Sequence, residues 1–136
     1  MVKILELQQR ASSMDLSGLP LGTEGLVPLL RSLRLHVATR ELRLAGTQLA
    51  LPAIGELLAT LLTLPNLTLL DLSNNLINGP GLRELIEGAR HSTQPPFPSL
   101  RELNLSLNPL GEGSWQCLAV LLECCPVLTT LRLRGL

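Results

Sequence analysis

Apolar residues fall on alternate positions in five short stretches: Met14 and Leu16, Leu42 and Leu44, Leu70 and Leu72, Leu103 and Leu105, and Leu131 and Leu133. Alternation with a period of two marks a half-buried strand. Between these stretches the period changes. Leu26, Ile54, Leu82 and Trp115 form one column, Leu29, Leu57, Leu85 and Leu118 a second, and Leu33, Leu61, Ala89 and Leu122 a third. Within each unit these residues stand at i, i+3 and i+7, the stripe of an amphipathic helix, so all three columns are expected to face inward. Pro52 and Pro80 lie where helices should start, where a missing N–H costs nothing. Pro65 and Pro126 follow the expected helix ends.

Strand and helix alternating at this spacing predict an α/β fold. Its form is a right-handed βα solenoid with a parallel sheet on the concave side and helices on the convex side. The units read LxxLxLxxNxL, carried by Leu67, Leu70, Leu72, Asn75 and Ile77, and again by Leu100, Leu103, Leu105, Asn108 and Leu110. This pattern is similar to the leucine-rich repeat, and the 28-residue unit resembles its ribonuclease-inhibitor subtype. Residues 1–136 read as about four repeats starting near 11, 39, 67 and 100, with a final strand from 128. They are expected to belong to a longer repeat domain. The third interval is longer, 33 positions between Leu70 and Leu103, and its extra residues fall in GARHSTQPPFPS, a loop by its prolines. There Phe97 either folds back over a helix end, the expected role, or presents an exposed contact.

An asparagine in a leucine-rich unit needs a reason. The chain turns sharply as it leaves each strand, which frees backbone N–H and C=O groups inside the coil. An asparagine amide both donates and accepts, so Asn75 and Asn108 are expected to satisfy those groups and to bridge neighbouring turns. Thr47 can do part of this and Leu19 cannot, which puts the turn geometry of the first two units in question.

Composition narrows the function. With 11 basic and 11 acidic residues the formal net charge is zero, so bulk charge gives no support for binding nucleic acid or an anionic membrane. The apolar share is 46%, yet Phe97 and Trp115 are the only aromatics, so leucine must build the core. Cys117, Cys124 and Cys125 are odd in number and clustered. They read as free, buried or half-buried thiols in a reducing compartment. No signal peptide is visible in the first ten residues, and the longest apolar run is broken by prolines and polar residues. GPGLRE and GEGSWQ lack the glycines and lysine of a phosphate loop and read as strand-to-helix turns. Asn66 and Asn104 match the glycosylation triplet by chance. No carboxylate pair, Ser/His/Asp set, cysteine–base pair or metal-ligand spacing is present, so neither catalysis nor a cofactor is expected.

Residues flanking the inward leucines should face the concave surface. One column is Ser13, Glu41, Leu69, Glu102 and Thr130. The central one is Asp15, Arg43, Asp71, Asn104 and Arg132, and the next is Ser17, Ala45, Ser73, Ser106 and Arg134. Each charge alone could be ordinary solvated surface. As a set they form the natural partner wall, with Asp15, Glu41, Arg43, Leu69, Asp71, Glu102, Asn104, Arg132 and Arg134 as the candidate binding residues. Leu69, with Leu76 and Leu107 near the rim, is apolar where a purely solvated wall would be polar.

Four stretches carry a closer likeness: RELRLAG from Arg40, LTLLDLSNN from Leu67, LRELNLSLNPLGEG from Leu100, and VLTTLRLRG from Val127. In order and spacing, the long third unit included, they resemble the C-terminal repeats of the Tonsoku-like DNA repair family. The resemblance implies a nuclear scaffold at damaged or stalled replication forks that promotes homologous recombination. It also implies a repeat region that docks a large obligate partner protein, without direct nucleic-acid or membrane contact. The histone-reading ankyrin region of the family has no counterpart here, so histone tails are not expected to bind. The nucleus is the expected location, with the cytoplasm as a second. The alternative is an inhibitor or sensor region of the ribonuclease-inhibitor or nucleotide-receptor type, whose alternating cysteines and concave aromatics are missing. A GTPase-activating repeat would need an arginine constellation and acidic tail, and neither is evident. Finally, LRLRGL ends on a leucine-rich strand that leaves an open edge. The isolated chain is therefore expected to be marginally soluble or oligomeric, and longer chains to behave better.

Overall fold

The computed structural model describes residues 12–92 and 95–135. Its elements alternate: β1 (Ser13–Asp15), α1 (Gly22–Leu33), β2 (Glu41–Arg43), α2 (Leu51–Leu61), β3 (Leu69–Asp71), α3 (Gly79–Arg90) and β4 (Glu102–Asn104). A 3-10 turn (Glu112–Ser114), α4 (Trp115–Cys124) and β5 (Thr130–Arg132) complete the order. The strands form one parallel sheet in chain order, and the helices stack in the same order behind it. This is the α/β solenoid that the alternating periods imply.

Register follows the leucines. Met14 pairs with Leu42, Leu42 with Leu70, Leu70 with Leu103, and Leu103 with Leu131. A one-residue slip would turn every inward leucine to solvent, so burial fixes the pairing. Met14, Leu42, Leu70 and Leu103 are buried, as are Leu16, Leu44, Leu72 and Leu105. Helix residues Leu26, Leu29, Ile54, Leu57, Leu82 and Leu85 close the same core.

Each strand leads into the same turn. Gly18, Gly46, Asn74, Leu107 and Gly135 all have left-handed backbone, with φ between 52 and 80°. The amides of the first four donate to Ala45, Ser73, Ser106 and Arg134 in the next coil at 2.8 to 3.1 Å, extending the ladder beyond the strands. Glycine and asparagine adopt this conformation readily; leucine does so at a cost of about 1 kcal/mol.

Just past the turn lies the asparagine ladder. Asn75 Oδ1 accepts from the amides of Thr47 (3.0 Å) and Leu49 (2.9 Å), while Nδ2 donates to Leu44 O (2.9 Å) and Leu72 O (3.1 Å). Asn108 repeats this, accepting from the Ile77 amide (3.0 Å) and donating to Leu72 O (2.9 Å) and Leu105 O (3.1 Å). Thr47 Oγ1 donates to Leu44 O at 2.8 Å, the partial role open to a hydroxyl. The first turn has Leu19 instead, and it is tied to the next coil through backbone: Gly18 N donates to Ala45 O, and Gly22 N to Thr47 O. Losing the asparagine there does not disturb the left-handed turn.

Phe97 is buried, and its amide donates to Cys124 O at the end of α4 (3.3 Å). It takes the covering role, which overturns the exposed alternative. Two helix positions depart from the expected stripe. Trp115 is 62% exposed and Leu122 48% exposed, although their column mates in earlier helices are buried. The buried face is nevertheless the same one: Leu118 is buried like Leu57 and Leu85, Ser114 like Ala53 and Gly81, and Leu121 like Thr60. So α4 keeps its orientation and only the Trp115 and Leu122 positions are left uncovered. Ser114 tolerates burial because its Oγ donates to Leu110 O.

Candidate protein-binding wall

Parallel in-register pairing sets the concave residues side by side. Ser13 pairs with Glu41, Glu41 with Leu69, Leu69 with Glu102, and Glu102 with Thr130. Asp15, Arg43, Asp71, Asn104 and Arg132 form the next row in the same way. Neighbouring strands stand about 4.8 Å apart, so each row is continuous at side-chain reach. Leu69 is half-buried within the first row. Leu76 and Leu107 lie outside the strands and are each 54% exposed.

Much of the wall's polarity is already engaged. Asp15 Oδ1 accepts from Ser17 N at 3.0 Å, Asp71 Oδ1 from Ser73 N at 2.9 Å, and Asn104 Oδ1 from Ser106 N at 3.0 Å. These local turns end β1, β3 and β4, because a short carboxylate or amide can accept from the amide two residues on. The hydrogen bond from the Ser17 amide is the main reason the Asp15 carboxyl lies below its ordinary pKa, with the charge of Arg43 helping against partial burial. Arg43 Nη1 contacts Glu41 Oε1 at 2.9 Å, and Arg132 Nε lies 3.5 Å from Glu102 Oε2. Both pairs are solvated and contribute about 1 kcal/mol or less to stability. Ser13 Oγ donates to Glu41 at 3.4 Å. The wall therefore presents matched charges held in fixed rows.

The C-terminal half of the wall opens into a hollow of about 560 Å³ that includes Asn104, Leu107, Arg132 and Arg134. Four sequence candidates divide between two places: Asn104, Arg132 and Arg134 line this hollow, whereas Asp15 lies on β1 at the opposite edge of the sheet. Sequence reasoning missed the ion pairs on the convex side. Arg31 of α1 and Arg34, which caps its C-terminal end, both reach Glu56 of α2, the first at 2.7 Å, and Arg34 Nε also donates to Thr60 Oγ1 at 3.2 Å. The hydrogen bond from Arg31 chiefly holds the Glu56 carboxyl below its ordinary pKa. The signal lies in helix-face geometry rather than strand alternation, so scanning strand neighbours could not reveal it.

Cys124 and Cys125 are buried free thiols and Cys117 is half-buried. Burial, with Cys124 alongside, pushes the Cys125 thiol up to about 12, and burial also raises Cys124. An unfolded chain ionises these thiols near their ordinary value of 9.0 while the folded one does not. Folding stability is therefore full below about pH 9 and falls as pH rises towards 12. Brief maleimide treatment at neutral pH is expected to label Cys117 and spare Cys124 and Cys125, as read by intact mass. Rapid labelling of all three in the folded protein would contradict this burial. No group of metal-ligating residues gathers among the described residues, and none of the described helices is long and apolar enough to cross a membrane.

The leucine-rich-repeat family model, described as Leucine Rich repeat, matches residues 63–85 and 98–119. The chain is 52% identical over 131 residues to the mouse Tonsoku-like protein, covering 96% of this chain and 10% of that protein. It is 42% identical to the zebrafish Tonsoku-like protein, covering 98% of this chain and 9% of that one. The chain is a Tonsoku-like leucine-rich-repeat segment. It spans about a tenth of the length of these Tonsoku-like relatives. Among solved structures, the Leiomodin-1 actin-binding site 2 superposes with a TM-score of 0.79 at 19% identity, covering 97% of this chain and 78% of that one. At that identity the likeness concerns the fold alone. Tonsoku-like kinship and the repeat architecture together make the segment a protein-interaction repeat module.

Proposed function

We propose that this Tonsoku-like segment docks a large protein partner on its concave wall. In our reading it does so within a nuclear scaffold that maintains replication forks and promotes double-strand-break repair by homologous recombination. The observation that carries the docking role is the in-register wall itself: Glu41, Leu69 and Glu102 in one row, and Arg43, Asp71, Asn104 and Arg132 in the next. A broad, preorganised surface with fixed charge positions binds without a large ordering cost, and complementary charge selects the partner. Kinship to the Tonsoku-like proteins supports the cellular setting. No step in this role requires a cofactor or bond-making chemistry.

The test must respect the turns that the wall residues also support. Asp71→Asn keeps the acceptor for Ser73, as Asn104 does for Ser106, so it removes charge and leaves the turn. Combined with Arg43→Glu and Arg132→Glu, it is expected to lower capture of the family's fork-repair partner from nuclear extract about tenfold. Circular dichroism should show an unchanged fold. Undiminished capture by the folded triple variant would remove the wall as the docking surface. The same tagged chain should gather at nuclear foci after fork stalling; a diffuse cytoplasmic signal would argue against the setting.

A further inference from the structure

Resting on the docking role above, we infer that the C-terminal hollow of the wall takes an acidic peptide segment carrying an apolar side chain, with Leu107 and Arg134 as its principal contacts. The charge is the first argument. Arg132 and Arg134 line the hollow, its other lining residues are Ser73, Asn104, Ser106, Leu107 and Leu133, and no acidic residue is among them. Glu102 partly neutralises Arg132 from 3.5 Å, whereas Arg134 has no ion pair among the described residues and is exposed. In a chain of zero net charge, two arginines facing one hollow are a local feature, and they select carboxylates rather than a polyanion that would need a wide basic surface.

The backbone supplies an independent argument. In the column Gly18, Gly46, Asn74, Leu107 and Gly135 every residue is left-handed, and Leu107 alone combines that conformation with a large apolar side chain. That side chain is 54% exposed, so core packing does not explain its presence. It lies across Gly135, where an added Cβ would stand 2.6 Å from Leu107 Cδ2. Strain retained at an exposed residue beside a charged hollow points to a contact made outside the chain. An apolar side chain meeting Leu107, flanked by carboxylates meeting Arg134 and Arg132, satisfies both features at once.

The probe is a short fluorescein-labelled peptide of alternating glutamate and serine with two central leucines, titrated by anisotropy. Controls replace its glutamates by lysine, its leucines by serine, or the whole peptide by labelled oligothymidylate. Saturable binding of the acidic–apolar peptide is expected, weakening with salt. Arg134→Glu should weaken it about tenfold and Leu107→Asn about fivefold. Because Asn74 occupies the same column with φ 52°, Leu107→Asn should not lower the melting midpoint, which separates lost contact from lost fold. Equal binding by both variants, absent saturation, or preference for the lysine peptide or the oligonucleotide would each overturn the inference. So would full partner capture by the Leu107→Asn, Arg134→Glu double variant when the Arg43, Asp71 and Arg132 triple variant captures none. That last result leaves the wall's docking role standing and removes only the hollow.

Discussion

Replacing Asn75 by alanine is expected to cost about 4 kcal/mol of folding stability. The residue is 5% exposed and serves two coils at once. Its removal strands the Thr47 and Leu49 amides and takes one of two donors from each of the Leu44 and Leu72 carbonyls. Each buried polar group left without a partner costs about 1 to 3 kcal/mol, so the two amides set the sum, while Leu72 O keeps Asn108 and Leu44 O keeps Thr47 Oγ1 as donors. Asn75→Asp should be comparably damaging, because a carboxylate keeps the acceptor role, loses the three donations to Leu44 O, Leu72 O and Ser73 O and buries a charge. Thr47→Val removes one hydroxyl donation to Leu44 O and should cost about 1 kcal/mol. Urea denaturation read by circular dichroism measures all three. An Asn75→Ala chain within about 1 kcal/mol of the parent would show that water replaces the amide at little cost.

Phe97→Ala is expected to cost about 3 kcal/mol, within the usual range for losing a buried aromatic. Leu64, Phe97 and Cys125 occupy equivalent positions in successive units and are all buried. Phe97 is therefore the point at which the longer third unit rejoins the common core. Its amide also ties the loop to Cys124 O. Partner capture per folded molecule should be unchanged by this substitution. A stability loss below about 0.5 kcal/mol together with lost capture would instead mark Phe97 as a contact residue.

Those two residues show how far the sequence could be read. The need for Asn75 followed from counting backbone groups at a turn, and its partners lie where that count required. The fold class followed from two periodicities that cannot coexist in one element. Phe97 was harder, because its place in the column with Leu64 and Cys125 shows only once the longer interval is aligned from both sides. Trp115 and Leu122 misled the helix pattern: spacing shows which residues share a face but not how much of that face its neighbours cover. The wall was legible as rows of residues, since register follows the inward leucines. Less legible was the double duty of Asp15, Asp71 and Asn104, each of which both faces the wall and accepts from an amide two residues on. The left-handed column was open to view in Gly18, Gly46 and Gly135, yet the feature that stands out there is Leu107, whose conformation no spacing rule reveals.

The asparagine bonds also have a direction. Asn75 reaches back to the coil of Thr47 and Leu49, and Asn108 reaches back to Ile77 and Leu72. The second and third coils therefore hold buried amides whose partner is encoded about one repeat later. On a ribosome, where the N-terminal end emerges first, a coil stays incomplete until its successor leaves the exit tunnel and supplies the missing amide. Synthesis would then lock the second coil as Asn75 emerges and the third as Asn108 follows. A pause between two repeats would leave the most recent coil unlocked and open to chaperones.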